Sequence, residues 1–506
     1  MLVKRTRISV LATVVLILGI ALPGRLVGAQ TPQEFFDVHR EAVPRAECGP
    51  GSAPEPGLQG EVTVADRASG RSTAGYSCNA TLVGRYQGTG GGIVSASYGN
   101  CAYMGSFWPS QGLGPTQPGV QVIDASDPAN PRLSTTLTEP AMAGGTWETL
   151  KVNEERGLLA ATGVGLLEAV GYFSVYDISE DCAHPRLLNT GVGSQLTLPM
   201  PITTHEGGFS PDGNTYWASG IAPGLLHAID ISDPAHPRVI WQGLTGIEEH
   251  GFGVSDDGNR LYLSHLAGVT ILDVSAVQRR DPNPQVPHVS RLFWSDGQIT
   301  QHSIPVSYDG HPYIFSVDEF GSGGVKALDL ADERNVKVAA NIKLEINLPQ
   351  HMDRWSSSSQ GNSAFGYESH YCTVDRPRDP TTLACGWVQS GIRVFDVRDL
   401  GDIREIAYYN PPAQTNKHFE LANSPHAVAS ITGVPASGFL SVGRALLEEN
   451  LDPLATLGPR ARLFGTDLSA DWCLSPPEFH GDQLWVTCSD NGFMVLQLTN
   501  DVYPIR

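Results

Sequence analysis

A short apolar stretch that ends in aspartate recurs along the chain and constrains the fold more than any other feature. Val120 to Asp124 reads Val-Gln-Val-Ile-Asp and continues to Arg132 as Ala-Ser-Asp-Pro-Ala-Asn-Pro-Arg, a pattern that Leu226 to Arg238 closely repeats. Six copies contain this aspartate and a seventh, degraded copy ends at Leu498; the aspartates are Asp124, Asp177, Asp230, Asp273, Asp329 and Asp396. Their spacings of 53, 53, 43, 56 and 67 residues each accommodate one four-stranded sheet with its loops.

Each copy has the properties of one blade of a β-propeller. The alternating Val, Ile and Leu residues predict a buried strand, and Asp-x-Ser-Asp-Pro predicts a turn in which side chains bond the backbone. One such sheet cannot bury both of its faces, whereas a closed ring of seven can. The repeat therefore predicts an all-β fold, a seven-bladed β-propeller of four-stranded blades. An open solenoid and two β-sandwiches are the alternatives, but the period is long for a solenoid and too regular for sandwiches.

The repeat also divides the chain into regions. The propeller is predicted to span residues 78–500, preceded by an irregular arm over residues 30–77. Because the last blade lacks its own outer strand, the segment Ala80 to Tyr86 is predicted to complete that sheet and close the ring. Two stretches exceed a plain connection between strands and are predicted to be insertions, namely residues 371–390 and 411–470.

Residues 1–29 have the order of a secretory signal peptide. Basic residues precede the apolar stretch Ile8 to Leu22, and Val27-Gly28-Ala29 has the small side chains that suit a signal peptidase. The 15 residues of that stretch rise about 22 Å in a helix, less than the ~30 Å hydrocarbon core of a bilayer, which favours cleavage over a retained anchor. The sequence therefore predicts a secreted or periplasmic protein with no stable membrane span after signal removal.

Charge and motif content narrow the choice of partners. The chain has 33 Lys and Arg against 53 Asp and Glu, a formal net charge of −20, and no basic patch, so nucleic acid is not expected as a main partner. No GxSxG, HExxH, Walker or Rossmann fingerprint stands in a supporting context. A small molecule, or a protein or glycan, remains as the ligand.

Eight cysteines in an exported chain are expected to form disulfides. Cys372 and Cys385 flank a short excursion, and Cys473 and Cys488 flank a predicted hairpin, so each pair is expected to be bonded. The same argument favours Cys78 with Cys101, which leaves Cys48 and Cys182. The sequence alone does not fix this connectivity.

Histidines recur at one position of successive blades. Counting back eight residues from the first turn glycine reaches a histidine in blades three, four and five, and the sixth blade is expected to supply one where its turn is irregular. Innermost strands surround the axis of a propeller, so these histidines are expected to converge near one mouth of the channel. The predicted metal ligands are His205, His250, His302 and His351, with His265 and His370 as a second tier. Alternatively, the histidines line a wet channel or stabilise their own blades.

Imidazole without thiolate suits copper, iron or zinc, whereas calcium prefers oxygen ligands. Glu148 stands next to the corresponding position of blade two, and Asp318-Glu319 and Glu368-Ser369-His370 are expected at the ends of second strands near the same mouth. Such carboxylates orient ligating histidines in many metal sites. The candidates for a general acid, base or anion clamp are Glu206, Glu249, Glu368 and Arg354. Each of these acidic residues, taken singly, also fits an ordinary place on an acidic rim.

The stretch Val-x-Val-x-Asp-x-Ser-Asp-Pro-x-x-Pro resembles the repeat of the LVIVD family of exported propellers, over roughly residues 78–500. This resemblance implies the propeller fold and export, but the members of that family share no single reaction. In arrangement only, the histidines are similar to those of two metal-binding propeller families. Carotenoid-cleaving oxygenases place iron on a four-histidine axis, and the selenium-binding/methanethiol oxidase family uses propeller histidines for copper.

Two functions therefore remain open. By this analogy, the protein is a metal-dependent oxidoreductase that acts on a small substrate at the channel mouth. The alternative is a non-catalytic propeller whose rim loops bind a protein or glycan.

Overall fold

The chain folds into a ring of seven antiparallel sheets, as the repeat predicts. A computed structural model describes residues 32–35, 37–107, 119–163, 171–190, 204–220, 224–245, 249–320, 322–359, 365–432 and 467–505. The predicted signal peptide lies outside these residues, as does most of the predicted insertion 411–470.

Three strands precede the first complete blade: β1 (Gln33–Phe35), β2 (Tyr76–Cys78) and β3 (Ala80–Tyr86). In each blade the strands are given from the first strand outwards. Blade one consists of β4 (Ser95–Tyr98), β5 (Cys101–Met104), β6 (Val120–Asp124) and β7 (Arg132–Leu137), and blade two of β8 (Lys151–Asn153), β9 (Leu158–Gly163), β10 (Tyr172–Asp177) and β11 (Arg186–Leu187). Blade three consists of β12 (Thr204–Phe209), β13 (Thr215–Gly220), β14 (Leu225–Asp230) and β15 (Arg238–Leu244).

Blade four consists of β16 (Glu249–Val254), β17 (Arg260–His265), β18 (Gly268–Asp273) and β19 (His288–Trp294), and blade five of β20 (Gln298–Tyr308), β21 (His311–Phe320), β22 (Gly324–Asp329) and β23 (Lys337–Ile342). Blade six consists of β24 (Cys372–Val374), β25 (Thr382–Gly386), β26 (Ile392–Asp396) and β27 (Arg404–Asn410). Blade seven has β28 (Glu478–His480), β29 (Gln483–Cys488) and β30 (Gly492–Leu498). First strands of neighbouring blades contact each other, β8 with β12, β12 with β16 and β16 with β20, so the first strands line the axis.

The repeated motif forms the third strand of each blade and the turn after it. In β6 the side chains of Val122 and Ile123 are fully buried between neighbouring sheets. Asp124 then accepts a hydrogen bond from the backbone N–H of Ser126 at 3.0 Å and another from Arg132 at 2.8 Å. The turn thus connects the start of the fourth strand to the end of the third, which explains why Asp, Ser and Arg recur together.

Short helices lie in the connections. They are α1 (Val64–Ser69), α2 (Pro140–Ala143), α3 (Ser275–Gln278), α4 (Met352–Ser358) and α5 (Pro425–Thr432), with 3₁₀ turns at Arg71–Ala74, Glu345–Asn347 and Pro349–His351. Among the described residues, none of these helices has the length and apolar character needed to cross a bilayer.

The N-terminal arm, residues 30–77, contributes strands to two blades. β1 pairs in parallel with β19 at the outer edge of blade four, and β2 pairs antiparallel with β27 at the outer edge of blade six. Arg393 in blade six is fully buried and binds the carboxyl groups of Glu55 and Glu405. Because Glu55 belongs to the arm, this buried ion pair attaches the arm to the propeller.

Two expectations from the sequence need correction. Residues 371–390 are not an insertion, since they supply β24 and β25, the first two strands of blade six. The disulfides join Cys48 to Cys78, Cys101 to Cys182, Cys372 to Cys385 and Cys473 to Cys488. The expected pair Cys78–Cys101 does not form because β2 extends blade six, whereas Cys101 lies in β5 of blade one, where it reaches the loop after β10.

The ring closes where β3 pairs antiparallel with β30 and becomes the outer strand of blade seven, as predicted. The register shifts between Leu82 and Gly84. A Cβ atom on Gly84 would lie 2.2 Å from the carbonyl oxygen of Pro128 and 2.7 Å from the carbonyl carbon of Ala129. The closing strand therefore approaches the backbone of blade one so closely that only glycine fits.

A partly buried carboxyl group lies on the first strand of the same blade. Glu478 accepts a hydrogen bond from the hydroxyl of Ser97, whose oxygen also lies 2.7 Å from Nε2 of His480. Burial raises the pKa of Glu478 to about 7; the Ser97 hydrogen bond opposes this shift, Glu154 adds to it and Lys151 opposes it. Glu478 therefore binds its proton more tightly in the folded chain than in the unfolded chain.

We expect Gly84→Ala to destabilise the closed ring by about 1–3 kcal/mol, because the added Cβ overlaps backbone atoms of blade one. Thermal unfolding measures the loss. Gly401→Ala is the matched control, since its added Cβ meets only the side-chain oxygen of Asp399, at 3.2 Å. Equal melting temperatures for the two variants would contradict this account of closure.

The protonated form of Glu478 stabilises the fold, so its contribution is complete below pH 4.5 and is lost as the pH rises through about 7. We expect Glu478→Gln to lose less stability than the unmodified protein between pH 5 and pH 8, as measured by urea unfolding. Glu180→Gln, at an exposed position, is the control. A variant with the same pH dependence as the unmodified protein would show that Glu478 ionises normally.

Candidate metal centre

Three imidazoles and two carboxyl groups from five blades meet in the central channel. His205 and His250 lie in the first strands β12 and β16, and Glu319 lies near the end of the second strand β21. Glu148 and His370 lie in the connections that lead into the first strands β8 and β24. We call these five residues the central cluster: Glu148, His205, His250, Glu319 and His370. All five side chains are buried.

The donor atoms of the cluster form two overlapping groups, each compact enough to hold a cation. Nε2 of His205 is 3.0 Å from Oε2 of Glu148, and Nε2 of His250 is 3.1 Å from Oε2 of Glu319. Nε2 of His370 is 3.5 Å from Oε1 of Glu148 and 3.4 Å from Oε1 of Glu319. Glu148 is shared by two groups whose ligand atoms all lie within 4.8 Å of one another, one with His205 and His250 and the other with Glu319 and His370.

The hydrogen bond on the far side of His370 determines what this imidazole offers to the cluster. Its Nδ1 lies 2.8 Å from the carbonyl oxygen of Leu474, and only an N–H can bind a carbonyl. In the neutral ring, the proton is therefore on Nδ1 and the lone pair is on Nε2. That lone pair faces two carboxyl groups, an arrangement that repels unless a proton or a metal cation lies between them.

Several atoms of the cluster are buried without a well-formed hydrogen bond to any described residue. They are Nε2 of His205, Nδ1 of His250, Nε2 of His370 and Oε2 of Glu319. Buried polar atoms are rarely left in this state. The short distances between them, with poor hydrogen-bond angles, are those of groups that point at a common centre rather than at each other.

The charges of the cluster depend on one another. Burial alone would raise the pKa of Glu148, but His205 and His250 hold it well below its usual range. His250 and His370 likewise lower the pKa of Glu319 against the effect of burial. Burial alone would lower the pKa of His250, yet the carboxylates of Glu319 and Glu148 raise it to about 9. The two carboxylates thus favour the charged form of His250, which lies between them.

A second group of polar side chains lies beside the cluster. Nδ1 of His302 is 3.1 Å from Oε1 of Glu206, and Nζ of Lys151 is 3.5 Å from the same oxygen. A Cβ atom on Gly251 would lie 1.6 Å from Oε2 of Glu206, so glycine next to His250 leaves the room for this carboxyl group. Tyr371 donates a hydrogen bond of 3.2 Å to Oε2 of Glu148 and connects the two groups.

The structure brings only some of the predicted ligands together. His205 and His250 belong to the cluster, while His302 lies in the second group of polar side chains, next to Glu206. His265 is fully buried but contacts Phe293, and burial followed by Arg291 lowers its pKa to about 3. His351 ends a 3₁₀ turn and lies outside the cluster. His370, a second-tier candidate, occupies the position in the cluster that was expected for His351.

The four candidate catalytic residues lie in different places in the structure. Glu206 lies beside the cluster, as described above. Burial raises the pKa of Glu249 to about 8, against the opposing effect of hydrogen bonds with Thr245 and the backbone of Gly220. Glu368 accepts a hydrogen bond of 2.6 Å from the backbone N–H of Gly366. Arg354 is partly exposed on α4 and pairs with Glu61 of the N-terminal arm.

The wrong choice of histidine in blade six has a clear cause. The first hairpin of this blade joins β24 to β25 through residues 375–381, without the Ser-x-Asp-Gly turn that blades three to five share. The prediction for this blade therefore fell on His351, in the 3₁₀ turn before α4, instead of on a residue beside the first strand. The disulfide Cys372–Cys385 crosses this hairpin and, taken as its mark, would have led directly to His370.

The donor set favours a borderline transition metal. It combines three imidazoles with two carboxylates, and the chain offers no thiolate because all eight cysteines form disulfides. Imidazole and carboxylate together suit iron, copper or zinc, whereas soft copper(I) prefers sulfur and calcium prefers oxygen alone. The cluster therefore fits a divalent or trivalent transition-metal ion.

Comparisons with known proteins concern the fold only. No protein-family model and no curated protein matches the sequence. Among solved structures, a periplasmic gluconolactonase from Pseudomonas aeruginosa is similar over 62% of this chain and 82% of its own, with 14% identity and a TM-score of 0.44. A Bacteroides uniformis protein assigned as a candidate 6-phosphogluconolactonase is similar over 62% of this chain and 83% of its own, with 13% identity and a TM-score of 0.44. A designed protein, Ika8, covers 82% of this chain and 99% of its own at 9% identity, with a TM-score of 0.40.

These identities and TM-scores give no information about the activity of this protein. The resemblance of the repeat to the LVIVD family stays a prediction, while the seven-bladed propeller that it implies is what the structure has.

Proposed function

We propose that this protein is an exported transition-metal protein whose metal is held in the propeller channel by the central cluster, and that it acts as an oxidoreductase on a small substrate. Export is inferred from the signal-like residues 1–29 and from four disulfides, which fit an oxidising compartment.

The environment of His370 carries the proposal. Its Nδ1 binds a backbone carbonyl, which fixes the ring and directs Nε2 towards Glu148 and Glu319. A histidine that ligates a metal typically donates its other ring nitrogen in this way. A buried pair of carboxylates is costly unless cations compensate both, and a metal ion bound by the three imidazoles would do so.

The choice of oxidoreductase chemistry depends on the ion. Two carboxylates are hard, anionic ligands that stabilise the oxidised form of a redox-active metal, and histidine with carboxylate is the donor set of non-haem iron oxygenases. Zinc bound by the same residues would instead support hydrolysis. The non-catalytic alternative is disfavoured because a propeller that only presents rim loops gains nothing from burying carboxylates and imidazoles in its channel, which costs their desolvation.

The metal site makes a direct prediction. Protein purified without a histidine tag should contain about one equivalent of iron, copper or zinc per chain, measured by mass spectrometry of the metal. His370→Asn and Glu148→Gln should each weaken metal binding about 100-fold or more, since each removes a direct ligand.

His351→Asn is the matched control, because His351 was a sequence candidate that lies outside the cluster. It should retain the full metal content. If all three variants hold metal equally, or if the unmodified protein binds no transition metal when supplied with one, the proposed centre does not exist.

The proposed reaction class has its own test. The metal-loaded protein should be reversibly reduced by dithionite and reoxidised by air, with matching changes in its electron paramagnetic resonance spectrum. His370→Asn should lose the signal and His351→Asn should keep it. A stoichiometric but redox-silent zinc ion would overturn the oxidoreductase assignment and leave the metal site in place.

A further inference from the structure

Five aromatic side chains lie around the central cluster, and each comes from a blade other than those of His205 and His250. Phe107 follows the second strand of blade one, Trp147 precedes blade two and Phe320 ends β21 of blade five. Phe365 and Trp472 precede the first strands of blades six and seven. We call this set the aromatic collar: Phe107, Trp147, Phe320, Phe365 and Trp472.

The collar touches the metal ligands on two sides. On one side, the ring of Trp147 lies 5.1 Å from that of His205 and 5.5 Å from that of Phe107. On the other side, the ring of Phe365 lies 5.8 Å from that of His370, 5.0 Å from that of Trp472 and, stacked, 5.3 Å from that of Phe320. Phe107, Trp147 and Phe365 are half-buried, unlike the fully packed rings between the blades.

Two features of the collar are not explained by a role in excluding water from the metal site. The indole Nε1 atoms of Trp147 and Trp472 are buried and donate no hydrogen bond to any described residue, although Trp472 is only 2% exposed. Trp147 also has φ = +44°, a left-handed conformation that is rare and strained for a bulky residue. Strained residues and unpaired donors of this kind cluster at ligand sites.

From these contacts we infer that the collar binds the substrate, and that the substrate is a planar aromatic compound bearing an oxygen acceptor, in the class of phenols. This inference rests on the proposed function, since it places the substrate beside the metal. The half-buried rings of Phe107, Trp147 and Phe365 supply the contacts that an aromatic ring prefers. The indole N–H groups of Trp147 and Trp472, which donate to no described residue, match an oxygen acceptor on its edge. Binding next to His205 and His370 holds such a ring against the metal ligands.

The test compares two probes of nearly equal size on the zinc-loaded protein, which is redox-silent. Isothermal titration calorimetry should show that 4-methylphenol binds about tenfold more tightly than 4-methylcyclohexanol, which has the same hydroxyl group but no aromatic ring. This comparison needs no variant and so does not depend on whether a variant folds.

Variants then locate the site. Phe365→Leu and Trp147→Leu should each weaken binding of 4-methylphenol about five- to tenfold and leave the zinc content unchanged, since each removes one aromatic contact. Phe479→Leu is the matched control: Phe479 is a half-buried aromatic residue of blade seven that packs on Tyr503, and its loss should change affinity less than twofold.

Equal affinity for the two probes, or equal effects of the three substitutions, would overturn the collar as an aromatic site even if zinc is bound in full. Absence of bound zinc would instead overturn the proposed metal centre. In that case the same titrations on the metal-free protein still decide whether the collar binds aromatic rings.

Discussion

Antiparallel pairing between β3 and β30 holds seven blades in a closed ring, and the central cluster depends on that closure. Its five residues come from five different blades, and no single blade provides more than one of them. Their mutual distances are therefore fixed by the angles between neighbouring sheets and not by any local segment. A propeller that opened by one blade would keep every strand and lose the site.

Several parts of this architecture were predictable because they follow from short-range physical rules. The apolar third strand and the Asp-x-Ser-Asp-Pro turn appear in the sequence as a repeat, and the number of repeats gives the number of blades. The closing strand was predictable because one strand was left over at one end of the chain and one was missing at the other. His205 and His250 were predictable from their constant distance to a turn glycine.

Other parts depended on contacts that no local pattern records. Blade six has a different first hairpin, so the count that found His205 could not be applied there and the prediction fell on His351, although His370 is the residue in the cluster. The partner of Cys78 was misassigned because the arm crosses to blade six, far from Cys101 in the ring. Glu148 was noted beside the corresponding position of blade two and Glu319 near the same mouth, but not as ligands. Their approach to one histidine arises only when blades two and five come together around the axis.

Buried charge distinguishes the channel from the interfaces between blades. Those interfaces are filled with Val, Ile, Leu and aromatic residues, whereas the channel collects carboxyl groups and imidazoles whose pKa values shift in opposite directions. Such an arrangement lowers the stability that the same volume of apolar side chains would give. Its presence on the axis of a repetitive fold locates the residues whose role is not to stabilise the blades.

The use of an early strand to complete the last sheet also affects how the chain reaches its folded state. Leu82 pairs with Leu496, so one of the first segments to be synthesised has no partner until nearly the whole chain has followed it. Contacts between such distant residues form slowly because a long loop must close first. A chain that is threaded through a membrane from its N-terminus would therefore remain open throughout the passage, and the ring would form only on the far side.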